Sequence, residues 1–196
     1  MTEQQPYEIA REEDGFEVRR YPAHVVAETT VDADFEQAGN RAFRYLFGYI
    51  TGDNVRRESI AMTSPVVQAT PTTSSSEKIA MTSPVTQHAK DGHFVVAFVL
   101  PTTLTAETAP TPTRTEVTLR TVPVRLSAVT RFTGRWTHAS YETHRAALLA
   151  RVAAAGLETI GETRFARFDP PYTPWFLRHN EVAIDLAEGR ASDADS

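Results

Sequence analysis

The sequence predicts an α+β fold built from two similar halves, and three observations carry this prediction. Two amphipathic helical patterns, at 34–50 and 140–155, each follow a pair of β-rich runs. The runs of the two halves align at an offset of 101, so that Val18-Arg19 falls on Leu119-Arg120. With 41% hydrophobic residues, a chain of 196 residues can form a substantial core. We therefore predict a pseudo-duplicated domain whose sheets join over one core, with a cleft where the halves meet.

The elements follow in the same order in each half. The first helix can be capped by Asp32 or Asp34 and ended by Gly52, and the second is closed by Gly156. The predicted strands cover 16–22, 25–31, 94–100, 117–120, 128–132, 165–168 and 181–186. We predict one domain over residues 1–190, with halves at about 6–105 and 114–187 and a disordered tail at 191–196.

Composition excludes several classes of function. A net charge of −5 argues against a nucleic-acid surface, which needs a clustered basic excess. The absence of cysteine excludes disulfides, thiolate metal sites and cysteine nucleophiles. No stretch reaches the length of a membrane span, and the polar residues 1–9 lack a signal-peptide core, so we expect a cytoplasmic protein. The oligomeric state is not predicted.

One heptapeptide occurs twice inside the first half. Ile-Ala-Met-Thr-Ser-Pro-Val fills positions 60–66 and again 79–85, flanking a Thr- and Ser-rich loop. We predict two short adjacent strands, each ended by its proline. Met62 and Met81 then either fill the core or line an apolar pocket for a flat ligand. A thioether bond from one of them to haem iron is a third alternative.

Six histidines are present, at positions 24, 88, 93, 138, 144 and 179, and none forms a close metal-binding pair. His144 lies beside the apolar side of the second helix, as a border or core residue or as a ligand. His24 lies in the first hairpin. His88 and His93 flank an Asp-Gly turn, which predicts that both are exposed.

The segment 169–176 places aromatic residues between prolines and leads into the last predicted strand. As a structural element it is a rigid loop over the core. As a functional one it offers Trp175 as an aromatic wall and Arg178 as a guanidinium for a ligand carboxylate. No nucleophile elbow or phosphate loop is present, so no catalytic residue is predicted.

Several segments together resemble the SOUL-type haem-binding proteins, and the doubled heptapeptide is similar to the prokaryotic branch of that family. The matching segments are 7–8, 17–21, 46–54, 58–66, 98–101, 132–134, 170–171 and 180–182. The resemblance implies β-α-β halves forming a distorted antiparallel β-barrel flanked by two helices, similar to the effector-binding domains of bacterial multidrug regulators.

The resemblance also implies a function, namely non-covalent binding of haem or free porphyrin in an apolar cleft, for haem buffering or transport. Some members are argued to use a histidine as iron ligand just before the tyrosine of the first strand. Arg20 occupies that position here, so it becomes a candidate for contact with a propionate, and His24 and His144 become the candidate iron ligands. Binding through apolar contact with no iron ligand is the open alternative. Two alternatives stay open: a sensor or sink for other amphipathic molecules, and a haem-dependent enzyme such as a weak peroxidase.

Overall fold

A computed structural model describes residues 3–56, 76–169 and 172–187. The strands in these ranges are β1 (Glu3–Gln4), β2 (Glu8–Glu13), β3 (Phe16–Tyr21), β4 (His24–Val31), β5 (Asn54–Val55), β6 (Thr82–Ser83), β7 (Val85–Lys90), β8 (His93–Val99), β9 (Thr111–Pro112), β10 (Thr118–Val122), β11 (Arg125–Thr133), β12 (Thr159–Arg167) and β13 (His179–Leu186). The helices are α1 (Phe35–Thr51), α2 (His138–Ala154) and a short 3-10 helix (Trp175–Leu177). Met62, the first heptapeptide, Pro170-Pro171 and the predicted tail 191–196 lie outside the described residues.

Nine of the described strands form one antiparallel sheet in the order β10-β4-β8-β7-β12-β13-β11-β3-β2. Two smaller ladders accompany it, β1 with β6 and β5 with β9. The order of elements strand, strand, helix, strand, strand occurs as β3-β4-α1-β7-β8 and again as β10-β11-α2-β12-β13. The structure thus has the α+β class that the sequence predicts, with one large antiparallel sheet and two α-helices.

A long two-stranded ribbon, in which β3 pairs with β11 and β4 with β10, has one corner in each of its two chains. The chain passes from β3 to β4 through Pro22-Ala23, and from β10 to β11 through Pro123-Val124. Pairing continues on both sides of these corners, with Tyr21 opposite Arg125 and His24 opposite Val122. Proline lacks the amide hydrogen that a ladder needs, which explains why both corners contain one. In the described ranges β10 and β2 are separate end strands, so the expected barrel does not close by hydrogen bonds.

The two α-helices cover one face of this sheet, which we call the helical face. The buried residues of α1, among them Ala38, Leu46 and Tyr49, recur at helical spacing and pack against β4 and β8. Leu148 and Val152 of α2 pack against β11, β12 and β13. Each element therefore buries one apolar side, as the sequence pattern predicts.

The helix ends differ slightly from the prediction. Gly52 ends α1 with a positive φ of 140°, and its amide donates to the Gly48 carbonyl. The second helix begins at His138, two residues before the predicted start, because the Thr137 side chain accepts a hydrogen bond from the Ser140 amide.

The opposite face of the sheet, the polar face, carries the alternate residues of the same strands. Arg19 of β3 and Glu181 of β13 are both buried there, and Arg19 Nη1 donates to the two carboxylate oxygens at 3.1 and 3.0 Å. Arg164 and Asp185 form a second pair on this face. The prediction that His88 is exposed is wrong, because it is half-buried on β7, whereas His93 is exposed.

Neither α-helix, nor any other helix in the described ranges, combines the length and apolarity needed to cross a membrane.

Candidate functional site

The connection between β12 and β13 is held firmly where it leaves and re-enters the sheet. The rings of Phe168 and His179 stack with centroids 4.1 Å apart. The backbone amide of His179 donates to a carboxylate oxygen of Asp169, and its Nε2 donates to Glu181 Oε1 at 2.9 Å. Because these contacts hold both ends of the connection, the side chains at 172–178 extend from a backbone that is fixed on either side.

This connection exposes an apolar patch, which we call the aromatic surface and define as Tyr172, Trp175, Phe176 and Leu177. The exposed fractions are 86% for Tyr172, 49% for Trp175, 58% for Phe176 and 62% for Leu177. Large apolar side chains exposed side by side are typical of a binding surface, whereas isolated ones need no explanation. The aromatic surface is therefore a candidate ligand site.

Arginines border the aromatic surface and stack on tryptophan rings. The guanidinium of Arg135 lies 5.2 Å from the Trp175 centroid. The guanidiniums of Arg178 and Arg167 lie 4.1 and 5.1 Å from the Trp136 centroid. We call these five residues the arginine–tryptophan cluster. It combines flat apolar area with three positive charges, which suits a planar ligand that carries acid groups.

Within the cluster, Arg167 is linked by hydrogen bonds through Gln87 to the first residue of α1. Its Nη2 donates to Gln87 Oε1 at 3.1 Å, and Gln87 Nε2 in turn donates to the Phe35 carbonyl at 3.0 Å. A Cβ at Gly39 would lie 2.6 Å from Arg167 Nη1, so any larger residue at this position would displace the Arg167 guanidinium. Burial lowers the pKa of Arg167 to about 10, with Glu36 opposing the shift and Arg178 adding to it.

Two buried donors of this cluster have no acceptor among the described residues. They are Trp136 Nε1 and Arg167 Nε. A buried donor without an acceptor costs about 1–3 kcal/mol. A ligand carboxylate or another acceptor that reaches these atoms would remove that cost.

The structure brings together two of the residues proposed from the sequence, Trp175 and Arg178. The side chain of Arg178 also donates from Nε to the Thr173 carbonyl at 2.8 Å, which orients it. Sequence reasoning missed Arg135, Trp136 and Arg167. The sequence does place Arg135-Trp136 shortly after the predicted strand 128–132, next to which a ligand could bind. Nothing in the sequence, however, links this pair to the loop at 169–176.

His144 lies on α2, with its imidazole stacked on Phe132 at 3.8 Å between centroids. Its Nδ1 donates to the Ser140 carbonyl at 2.7 Å, so the neutral ring carries its lone pair on Nε2. A ring fixed in this way is suited to metal binding through Nε2. The contacts that define the arginine–tryptophan cluster do not include His144.

His24 is buried at the start of β4 with both ring nitrogens engaged. Nδ1 donates to the Pro22 carbonyl at 2.8 Å, and Nε2 accepts from Gln5 Nε2 at 3.0 Å. Burial lowers the pKa of His24, and Arg125 adds to the shift. Iron binding by His24 would require the hydrogen bond from Gln5 to break.

The remaining predicted site residues lie apart from the cluster. Arg20 is exposed on β3, between Glu8 of β2 and Leu126 of β11. Met81 is half-buried and packs against the core beneath α1. No group of three or more metal-binding side chains occurs within the described part of the chain.

Comparison with known proteins identifies one family. A family model described as "SOUL heme-binding protein" matches residues 2–76 and 69–185, nearly the whole chain. A search of curated proteins gives no match.

Solved structures share the fold at low sequence identity. The C-terminal domain of EcmrR superposes with a TM-score of 0.62 at 9% identity, covering 92% of this chain and 98% of that one. EcmrR in a complex with DNA gives 0.61 at 9% identity, and the match covers 87% of this chain and 56% of EcmrR. A hydrolase encoded by lin2189 from Listeria innocua gives 0.59 at 10% identity, covering 91% and 94% of the two chains.

Proposed function

Because this chain belongs to the SOUL heme-binding protein family, we propose that it binds haem or a related tetrapyrrole non-covalently, for haem buffering or transport. The observation that carries the proposal is the aromatic surface bordered by the arginine–tryptophan cluster. We propose this surface as the binding site, in place of a cleft between the halves.

The side chains present fit the chemistry of a tetrapyrrole. The macrocycle is a large apolar plane, which gains from contact with Trp175, Phe176 and Leu177. Its two propionates are carboxylates, which guanidinium groups bind with paired hydrogen bonds. The donors of Trp136 Nε1 and Arg167 Nε, which have no acceptor among the described residues, support an acid-bearing ligand.

Bound haem would supply redox and ligand-binding chemistry at its iron, whereas the residues of the cluster hold and orient the macrocycle. Tryptophan and arginine are not iron ligands, so apolar contact and propionate binding are sufficient for this proposal. Arg178 keeps its orientation through the Thr173 carbonyl, and Arg167 through Gln87.

Titration of the purified protein with haem and, separately, with protoporphyrin IX tests the proposal, with the Soret band as readout. We expect a saturable shift near an equimolar ratio for both ligands. The Trp175→Ala and Arg178→Gln variants are each expected to weaken binding about tenfold or more, since each loses about 1.5–3 kcal/mol of contact or charge-assisted bonding.

Two matched controls separate the site from general surface effects. Val124→Ala removes an exposed apolar side chain that is not part of the aromatic surface. Arg114→Gln removes an exposed arginine that pairs with Asp53 and is not part of the arginine–tryptophan cluster. Both should bind as the wild type does. Absence of a saturable Soret shift, or equal losses in the controls, contradicts the proposal.

Iron ligation is tested separately through His144. We expect His144→Ala to bind haem and protoporphyrin IX within twofold of the wild type, since the cluster does not depend on this imidazole. Selective loss of haem binding in that variant would instead assign His144 as an axial ligand.

A second candidate is the binding of other amphipathic molecules, as a sensor or sink. The cluster's composition favours it, because rings and guanidiniums bind any planar acid-bearing molecule. Thermal-shift measurements against matched planar anionic and cationic compounds distinguish the two. Saturable stabilisation by anionic dyes more strongly than by protoporphyrin IX supports this second candidate.

A further inference from the structure

The polar face of the sheet, opposite the helices, carries a second concentration of charge. Asp185 of β13 accepts hydrogen bonds from Arg164 Nη1 and Nη2 at 2.7 and 2.8 Å and from Ser127 Oγ at 2.6 Å. Arg125 Nη1 also donates to it at 3.3 Å. Two guanidiniums therefore share one carboxylate.

The neighbouring acids are already paired with other arginines. Glu28 accepts from Arg120 Nε at 2.9 Å. Glu17 and Glu181 both accept from Arg19, at 2.6 Å and at 3.0–3.1 Å. Since Arg164 already donates twice to Asp185, Arg125 is the member of this group with the weakest compensation.

One hydrogen-bond donor of Arg125 also has no partner among the described residues. Its Nε is buried and has no acceptor among the described residues. Its guanidinium lies 5.9 Å from the ring centroid of Tyr21, directly across the ladder. The Tyr21 hydroxyl accepts from Arg19 Nη1 at 3.4 Å, so its own proton can be donated elsewhere.

The pKa shifts of Arg125 and of the two nearby histidines agree with an excess of positive charge around Arg164. Burial and Arg164 lower the pKa of Arg125 to about 10, against the opposing effect of Asp185. Burial also lowers the pKa of His24 and of His88, and Arg164 adds to both shifts. Asp185 is therefore shared between Arg125 and Arg164 and compensates the charge of Arg125 only in part.

The geometry points to a small-oxyanion site formed by Arg125, Arg164 and Tyr21, which would take a phosphate or carboxylate group. The side chains of Arg125 and Asp185 are 21% and 26% exposed, so solvent reaches part of this group, whereas Arg125 Nε itself is buried. This site lies on the opposite face of the sheet from Arg167 and does not rest on tetrapyrrole binding.

Calorimetric titration with inorganic phosphate and, in a second arm, with acetate tests this site at constant ionic strength. We expect saturable binding of at least one anion by the wild type, and the tighter of the two identifies the preferred group. Arg125→Met should raise the dissociation constant at least tenfold. Arg125→Lys, which keeps the charge beside Asp185 but lacks Nε, should raise it severalfold and serves if the first variant does not fold.

Two arginine variants make the result decisive. Arg114→Met, at an exposed pair, should leave anion binding unchanged. Arg178→Met, in the arginine–tryptophan cluster, reports whether the anion binds at the aromatic surface instead. Equal binding by wild type and both Arg125 variants overturns the inference, as does absence of binding to either anion. Loss of binding in Arg178→Met alone would move the anion to the aromatic surface and equally overturn it.

Discussion

The buried pair of Arg19 and Glu181 allows a quantitative test of how the polar face contributes to stability. The two side chains are 4% and 5% exposed, and their contact is 3.0 Å. Burial alone would lower the pKa of Arg19, but Glu181, Tyr21 and Glu17 outweigh burial and raise it. Arg19 therefore keeps its charge in the folded protein, with Glu181 as its buried ion-pair partner.

Removing one partner leaves the other buried group with only its second contact, which is Glu17 for Arg19 and His179 for Glu181. We expect Glu181→Leu to lower the free energy of unfolding by about 3–5 kcal/mol, and Arg19→Met by a similar amount. Replacing both charges by apolar groups removes that penalty, so the double variant should lose at least about 3 kcal/mol less than the sum of the single losses.

A second ion pair of similar geometry provides the matched control. Arg114 and Asp53 are 2.6 Å apart, but their side chains are 50% and 40% exposed. The same cycle at this pair, with Asp53→Leu and Arg114→Met, should give a much smaller coupling energy than the cycle at the buried pair, because water screens both charges. Burial, and not distance, then accounts for the difference between the pairs.

Urea unfolding followed by far-UV circular dichroism measures these free energies, with equal m-values required across the set. Tryptophan fluorescence is recorded in parallel, because both tryptophans, Trp136 and Trp175, belong to the arginine–tryptophan cluster. A coupling energy at the buried pair no larger than that at the exposed pair would refute the reasoning.

Three further predictions concern other parts of the molecule. Gly39→Ala should weaken tetrapyrrole binding severalfold in the Soret titration, because the new Cβ displaces the Arg167 guanidinium. The free energy of unfolding should be nearly unchanged. Unchanged affinity would contradict a role for Arg167 in binding. Folding lowers the pKa values of His24 and His88, so their contribution to the free energy of unfolding is fully present above about pH 6.5 and falls as the pH drops below it. Unfolding curves at pH 7.5 and 5.5 test this. The free energy lost between the two pH values should be smaller in His24→Asn and in His88→Gln than in the wild type. Asn54→Ala should lower the unfolding free energy by about 2–4 kcal/mol, since this buried side chain makes hydrogen bonds to three backbone groups; a loss below about 1 kcal/mol in urea unfolding would argue against it.

The two α-helices and the order of elements could be predicted because they depend on local periodicity. Edge strand β2 was missed, since its residues are nearly all exposed and show no alternation of apolar and polar side chains. The first part of β12 was missed because the register shifts between Ile160 and Arg164, with Gly161 at a φ of 70°. Both misses have the same cause, namely that a strand without a buried face leaves little pattern in the sequence.

The site was predicted only in part, for a different reason. Trp175 and Arg178 are close in sequence to the prolines and aromatics that marked the loop. Arg167 and Trp136 approach the same place from β12 and from the end of β11, through contacts that tertiary structure alone creates. The same holds on the polar face, where Arg19 and Glu181 are 162 residues apart.

The order of strands in the large sheet has a consequence for how the chain could be divided. Among the described residues, strands before and after residue 108 pair along four ladders, at β10 with β4, at β7 with β12, at β11 with β3 and at β5 with β9. A half produced alone would leave the matching edges without hydrogen-bond partners, and unpaired edges bind other strands. We therefore expect fragments cut near residue 108 to be insoluble when made separately, and to recover the folded protein when the two are made in the same cell.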